Sequence, residues 1–250
     1  MNRALPVALS ALGLLAFLGL WEALPTLGLL NRTLVPTPSA IPPALASEIR
    51  SGIWLAAVRS SLTHYTTGLA VGSGLGILLG IASGMFHRVE DATAWIVRLV
   101  RPIPGLAWVP FAIIWFGVEP SAAVFIIAIG VFWIVFFATG GAIRGVDRDL
   151  VEVARAFRFR SWPARLLKVV LPAATPGIMV GLRTALGQAW MAVVAAEIFG
   201  VPGVGQRMMQ ASSLLATDIV LVYMLTMAAL YGLIDAAFVA AQGWLLRWRA

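Results

Sequence analysis

The sequence predicts an all-α membrane protein, because the chain is far more apolar than a soluble protein and its apolar residues fall into long runs. Of its 250 residues, 60% are hydrophobic and 12% are charged, and the mean hydropathy is +0.92. A soluble domain carries about 25% charged residues. So few charges could not cover this much apolar surface in water, which excludes a soluble domain. The same composition excludes a disordered chain.

Six apolar runs are long enough to cross a bilayer as helices, which takes about 20 residues each. Within one transmembrane domain of residues 1–250, we predict spans at about 7–30, 62–86, 97–116, 121–142, 177–199 and 219–246. The first run exceeds the usual length of a signal peptide, so we expect an uncleaved helix there. A short amphipathic helix is expected over residues 44–61, and a glycine-rich loop over residues 200–218.

Glycine and proline distinguish the second and third spans. The second carries glycine at every fourth position, which allows a neighbouring helix to approach closely in lipid: Gly68, Gly72, Gly76, Gly80 and Gly84. The third span is interrupted by Pro102, Pro104 and Pro110. Interrupted helices near the bilayer midplane often form transport sites.

The basic residues predict the orientation of the chain. Its net charge is +7, which in a soluble protein would suggest an acidic partner such as nucleic acid. Here 13 basic residues fall on the side that holds both termini, and four fall on the other side. Because Lys and Arg concentrate in cytoplasmic loops, we expect both termini in the cytoplasm and no nucleic acid partner.

The polar loop of residues 143–171 lies on the same side and contains seven of the basic residues. Asp149 followed by Glu152 is a capping-box pattern, which predicts a helix start. The helix would end at Pro163 and present one apolar face, made by Leu150, Val153, Ala154 and Phe157. Two interpretations stay open: a helix lying on anionic lipid, or a helix that docks into a groove of a cytoplasmic partner.

This loop resembles the Glu-Ala-Ala loop of ABC-importer permeases. Glu152, Ala154, Leu171 and Pro172 match the pattern, whereas Val153 replaces its second Ala and Arg158 its glycine. The likeness covers almost the whole chain and is closest to the nitrate, sulfonate and taurine group. It is carried by segments 34–38, 101–104, 107–110, 115–117, 181–183, 187–190, 196–197 and 203–205. Trp133 stands where the group has a proline, which suggests a straighter fourth helix.

The resemblance implies the fold of a type I ABC importer permease, in which the loop helix is a cytoplasmic coupling helix. The chain would form the translocation pathway as a multi-pass inner-membrane protein. Its implied partners are a second permease copy, two cytoplasmic ATPase subunits and an extracytoplasmic substrate-binding protein. The residues expected to contact the ATPase are Asp149, Glu152, Ala154, Arg155, Phe157, Arg158, Leu171 and Pro172.

Energy would come from the partner, since this chain contains no phosphate-binding loop of the type G-x-x-x-x-G-K-[ST]. We therefore expect no enzyme activity and no cofactor in this chain, with ATP and Mg bound by the ATPase. With no Cys and two His, no metal site is expected. The resemblance suggests a small anion as substrate: nitrate, sulfonate, taurine, bicarbonate or an aromatic carboxylate. A neutral heterocycle or vitamin-like compound is the alternative.

Polar and aromatic residues within the spans are candidates for lining the pathway. They are Trp108, Trp115, Arg183, Gln188, Trp190 and Glu197. Arg183 could attract an anion, although a structural role is favoured, either a pair with an acid such as Asp235 or snorkelling to the interface. Packing is favoured for each Trp. Glu197 would cap the following loop or face the outer vestibule.

Two other functions compete with an importer subunit. An ion-coupled secondary transporter would need a relay of buried acids and two related halves, and it would leave the docking loop unexplained. An intramembrane enzyme would need a nucleophile and base close together, but His64 and His87 fall at opposite ends of the second span.

Overall fold

The computed structural model describes residues 4–157 and 161–247, and within these ranges the chain is helical and contains no β-strand. Its α-helices there are α1 (Ala4–Thr26), α2 (Ile41–Arg50), α3 (Ile53–Met85), α4 (His87–Val100), α5 (Val109–Phe116), α6 (Pro120–Arg144), α7 (Arg148–Ala156), α8 (Trp162–Arg165), α9 (Leu171–Ile198), α10 (Val204–Ser213) and α11 (Thr217–Leu245).

Five stretches of these described residues are long and apolar enough to cross a membrane. They are Leu9–Thr26, Ile53–Met85, Pro120–Arg144, Trp162–Ile198 and Thr217–Leu245. A bent pair, α4 with Gly105–Phe116, adds a sixth if it counts as one span. The prediction of an all-α membrane protein is confirmed.

The second span begins earlier than predicted, and the helix expected over residues 44–61 is divided. Gly52 separates α2 from α3 with a φ of 76°, a left-handed conformation that favours glycine. No breaking residue follows it, so the helix that begins at Ile53 continues unbroken to Met85. The second half of the expected amphipathic helix therefore belongs to the span itself.

The third span is two helices rather than one interrupted helix over 97–116. α4 ends at Val100, a short 3₁₀ turn covers Gly105–Trp108, and α5 follows at an angle of 81° to α4. Pro102 and Pro104 lie in the break, where neither fits a continuing helix. Pro110 lies in the first turn of α5, where its missing N–H costs nothing, so it does not interrupt the span.

The fifth span is also longer than predicted. The chain is continuously helical from Trp162 to Ile198, through a π-helical turn at Leu166–Val170. Pro163 therefore lies at the start of a helix rather than at the end of one. Residues 200–218, which were predicted to be a loop, contain α10. This helix begins directly after Gly203 and is ten residues long.

The core is formed where α3 packs along α6 and α6 packs along α9. The glycine stripe of α3 faces α6, as predicted. A Cβ at Gly72 would lie 2.5 Å from the carbonyl oxygen of Ala128, and one at Gly76 2.9 Å from Cβ of Val135. A contact this close between α3 and α6 needs glycine. The helix α6 carries Trp133 and is unbroken over 25 residues.

Candidate functional site

The predicted loop helix is present as α7, but its cap differs from the prediction. The carboxylate of Asp147 accepts a hydrogen bond from the backbone N–H of Asp149 at 3.0 Å. Asp149 lies inside the first turn of α7, so the capping box that begins at Asp149 is wrong. Asp147 directly precedes the helix and can reach this free N–H, which a residue within the helix cannot.

α7 turns an apolar face away from the rest of the chain. Leu150 is 50% exposed, Val153 53% and Phe157 73%, and their spacing places them on one side. Ala154, at 4%, packs inward. Glu152 is exposed. Arg155 lies on the helix, and Arg158 lies outside the described residues.

The other two residues predicted for the coupling loop lie at the start of α9. Pro172 lines a cavity of about 370 Å³, and Leu150 of α7 lines the same cavity. Leu171 packs against the small apolar cluster around Ile143. The structure thus brings Pro172 beside the exposed face of α7, whereas Leu171 supports that contact from within.

A second cavity, of about 290 Å³, opens at the break between α4 and α5. Trp108 and Gln188, both predicted for the pathway, line it together. Arg101 and Trp133 line it as well. From the sequence, Arg101 is only one of the charges that orient the chain, and Trp133 only a departure from the proline of the similar group. Their nearness to Pro102 and to the middle of α6 was the signal that could have revealed them.

Two of the predicted pathway aromatics do not reach this cavity. Trp115 belongs to a ring cluster with Phe111, Phe116 and Phe125, and it is 57% exposed on α5. Trp190 is 9% exposed in the core, where its ring meets the edge of Tyr65 at a centroid distance of 5.4 Å. The Trp190 ring therefore packs in the core, whereas the Trp115 ring lies largely on the surface of the chain.

Arg183 forms an ion pair with Asp235. Its Nε and Nη2 donate to the two carboxylate oxygens of Asp235 at 3.0 and 2.9 Å, which joins α9 to α11. This pair is one of the two structural roles expected for Arg183, and it balances the guanidinium charge. A planar, two-point contact of this kind is the strongest form of such a pair.

Glu197 is fully buried and holds α10 in place, the first of its two predicted roles. It accepts hydrogen bonds from the hydroxyl of Ser61 at 2.7 Å and from the backbone N–H of Gly205 at 2.8 Å, and His64 Nδ1 lies 3.3 Å away. Gly205 lies in the first turn of α10, where a carboxylate suits the positive end of the helix. Any Cβ at Gly203 would collide with this carboxylate.

Sequence reasoning missed a third polar cluster, which joins α2, α10 and α11. Arg207 donates to both carboxylate oxygens of Glu48, at 3.1 and 2.7 Å, and the hydroxyl of Tyr223 donates to Glu48 at 2.6 Å. The hydrogen bonds from Arg207 hold the pKa of the Glu48 carboxyl below its ordinary value, although burial opposes them. No local pattern pairs residues this distant in sequence.

Comparison with known proteins identifies the family. The sequence profile described as "binding-protein-dependent transport system inner membrane component" matches residues 72–250. The chain is 35% identical to the putative aliphatic sulfonates transport permease protein of Bacillus subtilis, over 93% of this chain and 84% of that one. It is 36% identical to the bicarbonate transport system permease protein of Synechococcus elongatus, over 76% and 67%. It is 30% identical to the taurine transport system permease protein of Escherichia coli, over 97% and 90%.

Two solved structures share the fold. The chain matches one of an amino acid ABC transporter with a TM-score of 0.62 and 14% identity, over 81% of this chain and 97% of that one. It matches an inward-facing methionine ABC transporter with a TM-score of 0.58 and 20% identity, over 74% and 95%. Family membership implies a separate ATPase and a substrate-binding protein as general partners, and a multi-pass position in the inner membrane. The chain is a permease subunit of an ABC importer and belongs to the family of binding-protein-dependent transport system inner membrane components.

Proposed function

We propose that two copies of this chain form the pathway of an importer for a small anion. Two ATPase subunits would bind ATP and Mg, and an extracytoplasmic protein would deliver the substrate. The anion class is supported by the names of the relatives, which are permeases for aliphatic sulfonates, taurine and bicarbonate. Nitrate and aromatic carboxylates belong to the same class of small oxyanions and complete the set of candidates.

Coupling to the ATPase would run through α7, and the exposed apolar face of this helix is the observation that carries the proposal. Leu150 and Val153 on this short helix, and Phe157 directly after it, are each at least half exposed, and the helix lies between two long spans. An amphipathic helix of this kind fits an apolar groove on a partner. The cap at Asp147 and the inward packing of Ala154 stabilise this helix within the permease chain itself.

The docking role can be tested with a charge placed on this face. We expect Val153→Asp to weaken co-purification with the cognate ATPase by about tenfold or more, because burial of a new carboxylate in an apolar groove is costly. Leu214→Asp is the matched control, since Leu214 is 75% exposed and lies at the opposite end of α9, after α10. Unchanged ATPase binding by Val153→Asp, or an equal loss in the control, would contradict the docking role. Glu152→Ala tests the exposed carboxylate of the same helix in the same assay.

The substrate class can be tested with the reconstituted complex of permease, ATPase and binding protein. ATP-dependent uptake of labelled taurine, an alkanesulfonate or bicarbonate is expected, and uptake of a neutral heterocycle is not. Uptake of the neutral compound alone would overturn the anion class. Arg183→Gln separates the roles of Arg183, because uptake unaffected by this change would exclude attraction of the substrate by Arg183.

A further inference from the structure

The cavity at the break between α4 and α5 carries an arginine without an acidic partner. Arg101 directly follows α4, and its guanidinium carbon lies 4.5 Å from the centre of the Phe137 ring. Among the residues that the structure describes, no carboxylate forms an ion pair with Arg101. The contact with the ring leaves the hydrogen-bond donors at the edge of the guanidinium available, since it uses the face.

Two of the residues that line the cavity lie near the middle of long helices. Trp133 follows the start of α6 by half the length of that helix, and Gln188 lies in the central part of α9. A charge at this depth is costly in a membrane, and it is usually found where a helix bundle binds or conducts an ion. Arg101 is exposed and lines this cavity, and the described residues supply no carboxylate that balances its charge.

The remaining wall residues suit an anion with an organic part. Gln188 brings a side-chain amide that can donate two hydrogen bonds, and Trp108 brings an apolar ring surface. The indole N–H of Trp133, in the same wall, is buried and lacks an acceptor among the described residues. No Asp or Glu lines the cavity. The wall therefore offers several side-chain donors, and the sign of its charge is positive.

Arg183 and Arg98 differ from Arg101 in the charges that surround them. Arg183 is balanced by Asp235 at 2.9 Å. Arg98 lies over the ring of Trp95 and lines a different cavity, in which Glu90 is also present. Arg101 thus stands apart from both by lining a cavity without a carboxylate.

We propose that Arg101, Gln188 and Trp108 form a binding site for a small organic sulfonate or carboxylate along the translocation pathway. Arg101 would hold the oxyanion through two parallel N–H donors, as guanidinium groups do with planar or tetrahedral oxyanions. Gln188 would donate to a further oxygen, and Trp108 would cover the organic part. This site rests on the proposed function, because it names the residues that meet the substrate within the permease.

The natural lack of cysteine allows a direct test in the intact transporter complex. Gln188→Cys places a single thiol in the cavity, and its modification is measured with three methanethiosulfonate reagents: an ethylsulfonate, a trimethylammonium and a neutral methyl compound. The neutral reagent reports whether the cavity is open in each variant. The ratio of sulfonate to ammonium rates then reports the local charge alone. Ile103→Cys, in the same wall, serves as a second reporter if the first variant folds poorly.

We expect Arg101→Gln to lower this ratio by about tenfold, and Arg101→Lys to retain most of it, because one positive charge within several ångströms of the thiol favours the anion. Arg98→Gln, in the last turn of α4 and outside the cavity, is the matched control and should leave the ratio unchanged. Taurine in the bath should slow modification of Ile103→Cys, in which Gln188 is intact, and this protection should disappear when Arg101→Gln is added.

A ratio that Arg101→Gln does not change, or taurine protection that persists without Arg101, would overturn the site. Failure of the proposed function would look different. In that case the uptake assay with the whole complex would find no anion transported, while the charge dependence of thiol modification would be measured independently of transport.

Discussion

Two buried carboxylates, Glu48 and Glu197, join helices at the end of the molecule that holds α10. Burial removes each carboxylate from water, and donors within the protein replace the water: Arg207 and Tyr223 for Glu48, Ser61 and Gly205 for Glu197. Removing one donor from a buried carboxylate leaves a charge without compensation, which costs more than the pair contributes. These side chains therefore act on stability through their partners rather than alone.

The Glu48–Arg207 pair predicts a pH dependence of stability. The hydrogen bonds of Arg207 lower the pKa of Glu48 below its ordinary value of 4.5. A lowered pKa stabilises the folded state above that value, and the contribution is lost as the pH falls through the lowered pKa. We expect Arg207→Gln to reduce the unfolding temperature by about 5 °C or more near pH 7.

The difference in unfolding temperature between Arg207→Gln and the parent chain should narrow as the pH falls through the lowered pKa of Glu48, because Glu48 becomes protonated in both. Thermal unfolding of the purified protein in detergent measures this. Arg59→Gln, a change to an exposed arginine of α3, is the control and should shift little. A gap of constant size from neutral to acid pH would contradict the assignment.

At the scale of elements, the contact of α3 with α6 depends on the absence of side chains. Glycines at four-residue spacing follow the contact over five successive positions, from Gly68 to Gly84. Lipid offers no hydrophobic drive for two helices to associate, so close packing must provide the attraction. The stripe sets the distance between two of the three helices that form the core.

Two glycines of α3 provide a matched test of this contact. Gly72→Ala would place a methyl group 2.5 Å from the carbonyl oxygen of Ala128, whereas Gly74→Ala would meet nothing within 4 Å. We expect Gly72→Ala to destabilise the fold by about 1–3 kcal/mol through overpacking. Gly74→Ala should be neutral or slightly stabilising, since alanine favours helix. Equal unfolding temperatures for the two variants would show that the close approach is not needed.

At the scale of the whole molecule, the long spans separate two surfaces that carry different contacts. α7 lies at one end of α9, and α10 lies at the other, ~40 Å away along a helix of 28 residues. The basic loop of residues 143–171 contains α7. This arrangement suits an ATPase on the first side and delivery of substrate on the second, with the proposed anion site between them.

The orientation proposed from the basic residues can be measured with single cysteines. His87, at the start of α4, and Leu214, after α10, are both exposed and belong to opposite ends of the bundle. In intact cells, a membrane-impermeant maleimide should label Leu214→Cys at once, and His87→Cys only after permeabilisation. The reverse order of labelling would place the termini outside and contradict the positive-inside interpretation.

The sequence by itself determined that the protein is an all-α membrane protein, and it indicated where glycines allow close helix contact. The shortage of charge excluded a soluble fold, and the glycine spacing of α3 indicated which face needs close contact. These features depend only on composition or on local spacing, so they can be recognised without knowing which residues are in contact in the folded chain. Helix bounds were less accessible from the sequence, because Pro110 and Pro163 lie at the start of helices, whereas they were predicted to interrupt a helix and to end one.

The tertiary structure alone decided which distant residues meet. The pairing of Arg183 with Asp235 could be listed among options from the sequence, but only packing of α9 against α11 selects it. Packing also brings Gln188 of α9 beside Arg101 at the break after α4. Composition and periodicity report what each segment can bury, whereas the partner of a buried charge depends on helix-to-helix register, which no single segment contains.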